Sequence, residues 1–228
     1  KISRKFSPLR LNALYVAWIK LFLRYSVSGY RSRSSPIAFE IASSKSYEES
    51  LAIGTSTYFA LQKLLQTNNY STLIGSEGGF SPAVATNQDA LILLKQAIES
   101  IGLRVGFDVF LGLDIASNSI FSNQKYHIKD KPTSLDSDDL IAFYGSLYKD
   151  YHLLYLEDGL SEDDWSGWTK LCSQLSGQML IVGDDLTVTN PYRLQMALDK
   201  KSITGIVIKP NQIGTVIEAL AVVEMARQ

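Results

Sequence analysis

The chain has 228 residues, 46% of them apolar, and a formal net charge of −1. That is enough to bury a sizeable core in one large domain or two small ones, and a single cysteine, Cys172, excludes an internal disulfide framework and suits a reducing compartment. Two histidines, His127 and His152, cannot build a His-rich metal centre, so any resident metal would be a hard cation held by carboxylates.

Charge divides the chain. Residues 1–39 carry eight basic groups and no acid, whereas residues 40–228 carry 14 basic and 23 acidic groups, a net of −9. The first segment reads as an ordinary helix with a basic outer face, a transit peptide, or a surface-binding patch. Its apolar run, Leu11–Leu23, is interrupted by Lys20 and too short for a membrane span. No small-residue cleavage site follows it, which argues against a signal peptide. Two parts are therefore expected, a basic leader over 1–39 and a larger domain over 40–228.

From residue 45 onward one plan repeats: amphipathic helix, turn, short apolar run. Ser46 with Glu49 forms a capping-box signature, followed by Leu51, Tyr58, Leu61 and Leu65 on one stripe. Thr86 with Asp89 opens a second helix with Leu91, Leu94, Ile98 and Ile101 inward and Gly102 just past its end. A third is expected over 136–149, burying Leu140, Phe143 and Leu147. A fourth is expected from Ser161 with Asp164, burying Trp165, Trp168, Leu171 and Leu175 with Cys172 as a small apolar neighbour. Asn190-Pro191 opens a fifth and Thr215 with Glu218 the last. Between the helices lie Val109–Leu113, Leu153–Leu156, Met179–Val182 and Ile206–Ile208, continuous apolar runs that suit strands buried on both faces of a parallel sheet. Alternation at this spacing means βα units. No glycine-rich phosphate loop is present, so a barrel is expected rather than a dinucleotide-binding sheet.

Each of these strands runs into a charged residue: Gly112-Leu113-Asp114, Leu156-Glu157-Asp158, Gly183-Asp184-Asp185 and Ile208-Lys209-Pro210. Charge is costly in a core, so these side chains belong at strand ends, and in a βα barrel all strand ends meet at one face. Singly, a strand-end carboxylate reads as a helix cap and a strand-end lysine as an ion-pair partner. Together, Asp114, Glu157 and Asp184 would need a cation between them, and oxygen ligands suit Mg²⁺. A lysine facing that cation is pushed towards the neutral form that can accept a proton. Metal with a lysine base is a scheme for removing a proton next to a carboxylate.

Four local motifs carry a family resemblance. Gly75-Ser76-Glu77-Gly78-Gly79-Phe80 resembles the enolase glycine loop, and Leu156-Glu157-Asp158-Gly159-Leu160-Ser161-Glu162-Asp163-Asp164-Trp165 is similar to the segment after that family's fourth barrel strand. Gly183-Asp184-Asp185-Leu186-Thr187-Val188-Thr189-Asn190 and Lys209-Pro210-Asn211-Gln212-Ile213-Gly214-Thr215 resemble the next two strand ends. The likeness covers residues 45–228 and is faint before that, where 1–39 would be a leader or the remnant of an amino-terminal domain. The fold it implies is an incomplete TIM-type βα barrel lacking the last two strands.

The resemblance implies a Mg²⁺-dependent lyase interconverting 2-phosphoglycerate and phosphoenolpyruvate plus water. Asp114, Glu157 and Asp184 would hold Mg²⁺, Lys209 would take the C2 proton, and Glu77 would protonate the departing hydroxyl. It also implies a cytoplasmic homodimer with a small-molecule substrate, with neither nucleic acid nor membrane as partner. The departures are Ser76 and Ser119, where the family carries acids, and a compressed stretch before residue 45 in which only Glu40 could stand for the second-strand glutamate. A catalytically inactive enolase-like binding protein is the alternative those departures favour. An acid-sugar dehydratase of the same superfamily is disfavoured by the Glu77 loop and by Asn211-Gln212-Ile213-Gly214.

Overall fold

A computed structural model describes residues 21–23, 37–42, 46–74, 78–128 and 130–227. Most of the basic 1–39 segment lies outside the described residues, as do Gly75, Ser76 and Glu77 of the glycine loop.

In chain order the elements are β1 (Leu21–Leu23), β2 (Ile37–Ala42), α1 (Tyr47–Thr67), α2 (Asn87–Ser100) and β3 (Phe110–Asp114). A 3₁₀ turn (Ser117–Ile120) and a small hairpin of β4 (Phe121–Ser122) and β5 (Lys125–Tyr126) follow. Then come α3 (Ser137–Tyr151), β6 (Leu153–Glu157), α4 (Trp165–Leu175), β7 (Leu180–Gly183), α5 (Pro191–Asp199), β8 (Gly205–Ile206), α6 (Pro210–Ile213) and α7 (Val216–Arg227). Six strands form one sheet in the order β1-β2-β3-β6-β7-β8. The run β3-β6-β7-β8 is parallel, as βα units require, whereas β1, β2 and β3 pair antiparallel. Among the described residues β1 and β8 are edges and the sheet does not close. The architecture is thus a partial α/β barrel.

The helix starts follow from side-chain caps. Ser46 with Glu49, Thr86 with Asp89, and Asp136 with Asp139 form complete capping boxes, each satisfying two backbone N–H groups that the first turn cannot. Asn190 Oδ1 accepts from the N–H groups of Tyr192 and Arg193, and Pro191 occupies the first turn of α5. Gly102, at φ +80°, ends α2 in the left-handed conformation open to glycine.

Two expectations shift. The fourth helix starts at Trp165, not at Ser161, because Asp164 is the cap: its Oδ1 accepts from Gly167 N–H at 2.9 Å. Ser161 instead gives its N–H to the Tyr126 hydroxyl and its carbonyl to Trp168 Nε1–H, each at 3.0 Å. On α1, Leu61 and Leu65 are buried as expected but Leu51 is 47% exposed. The Asp164 carboxylate also accepts from the hydroxyls of Ser137 and Ser166. Asp164→Ala should therefore lower stability by about 1–2 kcal/mol and the melting temperature by roughly 2–6 °C, read by thermal unfolding.

The core is continuous across β3, β6, β7 and the helices on them. Leu91, Leu94 and Ile98 of α2, Leu140, Phe143 and Leu147 of α3, and Trp168, Leu171 and Leu175 of α4 pack with Leu111, Leu113, Leu156 and Ile181 of the strands. β3 and β6 are covered on both faces, which explains why their sequences do not alternate. Cys172 lies buried in α4, and burial pushes its thiol pKa up, away from the reactive thiolate.

Candidate metal and acid–base site

Strand register brings the charged residues together. Asp114 pairs with Glu157 across β3 and β6, and Glu157 pairs with Val182 across β6 and β7. Asp184 lies two residues beyond Val182, so the period-two alternation of a strand returns it to the same face. Gly183 pairs with Ile206, which sets Asp184 level with Val207, and Lys209 lies two residues further on. A register shift contributes to this alignment. Between the pairs Leu111–Leu153 and Gly112–Tyr155, β6 carries one extra residue, Leu154. Without it Asp114 would face apolar Leu156; with it, Asp114 faces Glu157.

The resulting rim is acidic and largely buried: Asp114, Glu157, Asp158 and Asp184 are each at most 9% exposed. One carboxylate oxygen from each of Asp114, Glu157 and Asp158 lies within 4.8 Å of the others, and the same holds for Asp158, Asp184 and Asp185. Of the three expected ligands, Asp114 and Glu157 thus share one cluster, Asp184 falls in the adjoining one, and Asp158 links the two. Lys209 donates from Nζ to Asp184 Oδ2, and Gln212 Nε2 donates to Asp184 Oδ1 at 2.8 Å. The Thr189 hydroxyl orients both partners, donating to Gln212 Oε1 at 2.8 Å and accepting from the Lys209 N–H at 2.9 Å. The Tyr155 hydroxyl donates to Glu157 Oε2.

Asp158 holds β6 to β7. Its φ is +45°, and its two oxygens accept from the N–H groups of Asp184 (3.0 Å) and Asp185 (2.9 Å). Burial, only partly offset by these N–H groups, pushes its pKa up to about 7, with Asp185 and Asp114 adding to the rise. A raised carboxyl pKa contributes stability that is complete below the unfolded value near 4 and is lost as pH rises towards 7. In EDTA the melting temperature should therefore fall by roughly 5–10 °C between pH 5 and 7.5 through this group. Divalent cation or Asp158→Asn should flatten that slope, which pH-dependent thermal unfolding would read.

The donor set fits a hard divalent cation. It consists of carboxylate oxygens alone, removed from water and close enough to repel one another unless positive charge lies between them. Glu77 lies outside the described residues, whereas Ile74 and Gly78 to Phe80 on either side of it are described. Ile74 and Phe80 form an antiparallel bridge on either side of it, the Tyr58 hydroxyl donates to the Gly78 carbonyl at 3.0 Å, and the Tyr58 ring stacks on Phe80 with centroids 4.5 Å apart. Ser119 is exposed in the 3₁₀ turn. Glu40 lies on β2 opposite Gly112, two register positions from the pairing of Ala38 with Asp114.

The family model "Enolase, C-terminal TIM barrel domain" matches residues 37–228. The chain belongs to the enolase family. Enolases of Helicobacter pylori strains HPAG1 and J99 are each 42% identical to it over 193 residues, 84% of this chain and 44% of their own lengths. The chain thus spans less than half the length of these relatives. Membership in the enolase family accounts for the parallel βα units. Asp158, Asp185, Gln212 and Thr189 were missed as site residues by sequence reasoning, although all lie inside the enolase-like motifs. Their available signal was adjacency: each neighbours or closely follows a strand-end charge.

Proposed function

We propose that this chain carries the site of a Mg²⁺-dependent enolase-type lyase interconverting 2-phosphoglycerate and phosphoenolpyruvate plus water. The observation that carries the proposal is the pair of adjoining carboxylate clusters, Asp114 with Glu157 and Asp184 with Asp185, joined at Asp158, with Lys209 Nζ on Asp184. Asp114, Glu157 and Asp184 would hold Mg²⁺, assisted by Asp158. When bound there, the ion supplies positive charge that favours the enolate-like form of a carboxylate substrate. Lys209 Nζ would accept the C2 proton. In the structure Lys209 Nζ donates to Asp184 Oδ2, so the base would stand at a carboxylate that would also hold the ion. Gln212 and Thr189 hold Asp184 and the Lys209 backbone in fixed relation throughout. Glu77, flanked in sequence by Gly75, Gly78 and Gly79, would donate the proton to the leaving hydroxyl.

The family's cytoplasmic, homodimeric habit is proposed here too. Among the described residues no helix is long and apolar enough to cross a membrane. A second reading, an inactive enolase-like binding protein, is favoured by Ser76 and by the exposed hydroxyl of Ser119, where the family carries acids. The deciding experiment follows phosphoenolpyruvate absorbance with 2-phosphoglycerate and the purified chain, in Mg²⁺ and in EDTA. Metal-dependent turnover is expected. A folded chain that binds Mg²⁺ without turnover would give the second reading the lead.

A further inference from the structure

Three loops leave the acidic rim: residues 115–136 after β3, 158–164 after β6, and 184–190 after β7. Arg193, in the first turn of α5, joins two of them. Its Nε donates to the Leu186 carbonyl and its Nη2 to the Glu162 carbonyl at 2.6 Å. Its Nη1 lies 3.6 Å from the Asp163 carboxylate, and its guanidinium carbon 5.2 Å from the Trp165 ring centre. Glu162 is gripped from the other side by Asn118, of the loop after β3. The Glu162 N–H donates to Asn118 Oδ1 at 3.0 Å, and Asn118 Nδ2 donates to Glu162 Oε2 at 2.7 Å. The same Nδ2 lies 3.5 Å from Asp185 Oδ2. Glu162 thus stands between two side chains that between them reach all three loops.

We propose that Arg193, with Asn118 across Glu162, is a positioning residue that fixes the spacing between the strand ends bearing Glu157-Asp158 and Asp184-Asp185, and thereby sets the cation affinity of the rim. The clause on cation affinity rests on the metal reading above. The carboxylates repel one another, so the rim tends to spread, and the βα loops are the segments free to let it. A planar guanidinium can donate to two carbonyls on different loops in one rigid geometry; a lysine ammonium at the end of a flexible stem cannot reproduce that fork. The anchor is itself held, because Asn190 caps the turn that carries Arg193.

The test is amide hydrogen exchange on the full chain, with and without Mg²⁺, for the parent, Arg193→Ala and Arg193→Lys, together with Mg²⁺ titration calorimetry. Arg193→Ala should speed exchange at Glu162, Asp184 and Asp185 by at least about tenfold, leave the Leu113 amide in the β3–β6 ladder within about twofold, and weaken Mg²⁺ binding about 10- to 100-fold. Arg193→Lys should recover only a minor part of each loss. Equal acceleration in loops and ladder would mean that Arg193 merely stabilises the fold, and would overturn the proposal, as would unchanged exchange in the loops. Selective loss of protection in a chain whose parent binds no Mg²⁺ would uphold the positioning role and remove the metal reading instead.

Discussion

Lys209→Ala is expected to cut metal-dependent formation of phosphoenolpyruvate by about 10²–10⁴-fold while Mg²⁺ affinity holds or rises. The two effects have opposite signs for one reason. Lys209 Nζ lies on Asp184, so its charge competes with a cation for that carboxylate while its amine would serve as the base. Removing the side chain deletes the base and relieves the competition. A lysine that only organised the rim would behave differently, since its loss would let Asp184 move and weaken the cation along with the rate. Asp184→Asn supplies the contrast: it removes a charge from the rim and should weaken Mg²⁺ and turnover together. Parallel calorimetry and absorbance assays on the two variants separate these cases, and loss of Mg²⁺ affinity in Lys209→Ala would count against the base assignment.

The second large effect is on stability. Trp168 is completely buried in α4, and its Nε1–H holds the Ser161 carbonyl at 3.0 Å. Trp168→Ala should cost about 3–5 kcal/mol, because the lost burial is joined by the cavity left behind. The melting temperature should then fall by roughly 10 °C or more in a chain of this size. Trp168→Phe separates the two contributions: it keeps most of the packing, leaves the Ser161 carbonyl with the Asp164 N–H as its remaining donor, and should cost about 0.5–1.5 kcal/mol. Thermal and urea unfolding of the pair would read both, and equal losses would show that the hydrogen bond, not the volume, dominates.

Much of the βα core was legible from residues alone. Capping pairs such as Thr86 with Asp89 act over three residues, so a linear reading can find them. The charged strand ends were legible because charge has few tolerable places in a buried sheet. β1 and β2 were not: an antiparallel partner for β3 is chosen by contacts far away in sequence, and the βα alternation predicts only parallel neighbours. The extra residue at Leu154 was equally silent, since one more apolar side chain in an apolar run leaves no local mark. Asp158 and Gln212 were overlooked for a related reason. Their importance lies in what they bond to on the next strand or across the rim, and a motif read along the chain hides that direction. Leu51 fits the helical stripe of α1 yet is exposed, because periodicity names a face without saying how far the neighbouring element extends over it.

The mixed sheet also has a consequence for how the molecule assembles. One helix separates β6 from β7 and β7 from β8, and β3 reaches β6 after a 3₁₀ turn, the small hairpin and α3, so those contacts form by shorter chain closures. β2 lies against β3, but all of α1 and α2 separate them in sequence. Closing that longer excursion costs chain entropy before any ladder bond rewards it. The parallel βα units are therefore the natural nucleus, the antiparallel strands dock on a surface already built, and the acidic rim takes shape ahead of the edge that flanks it.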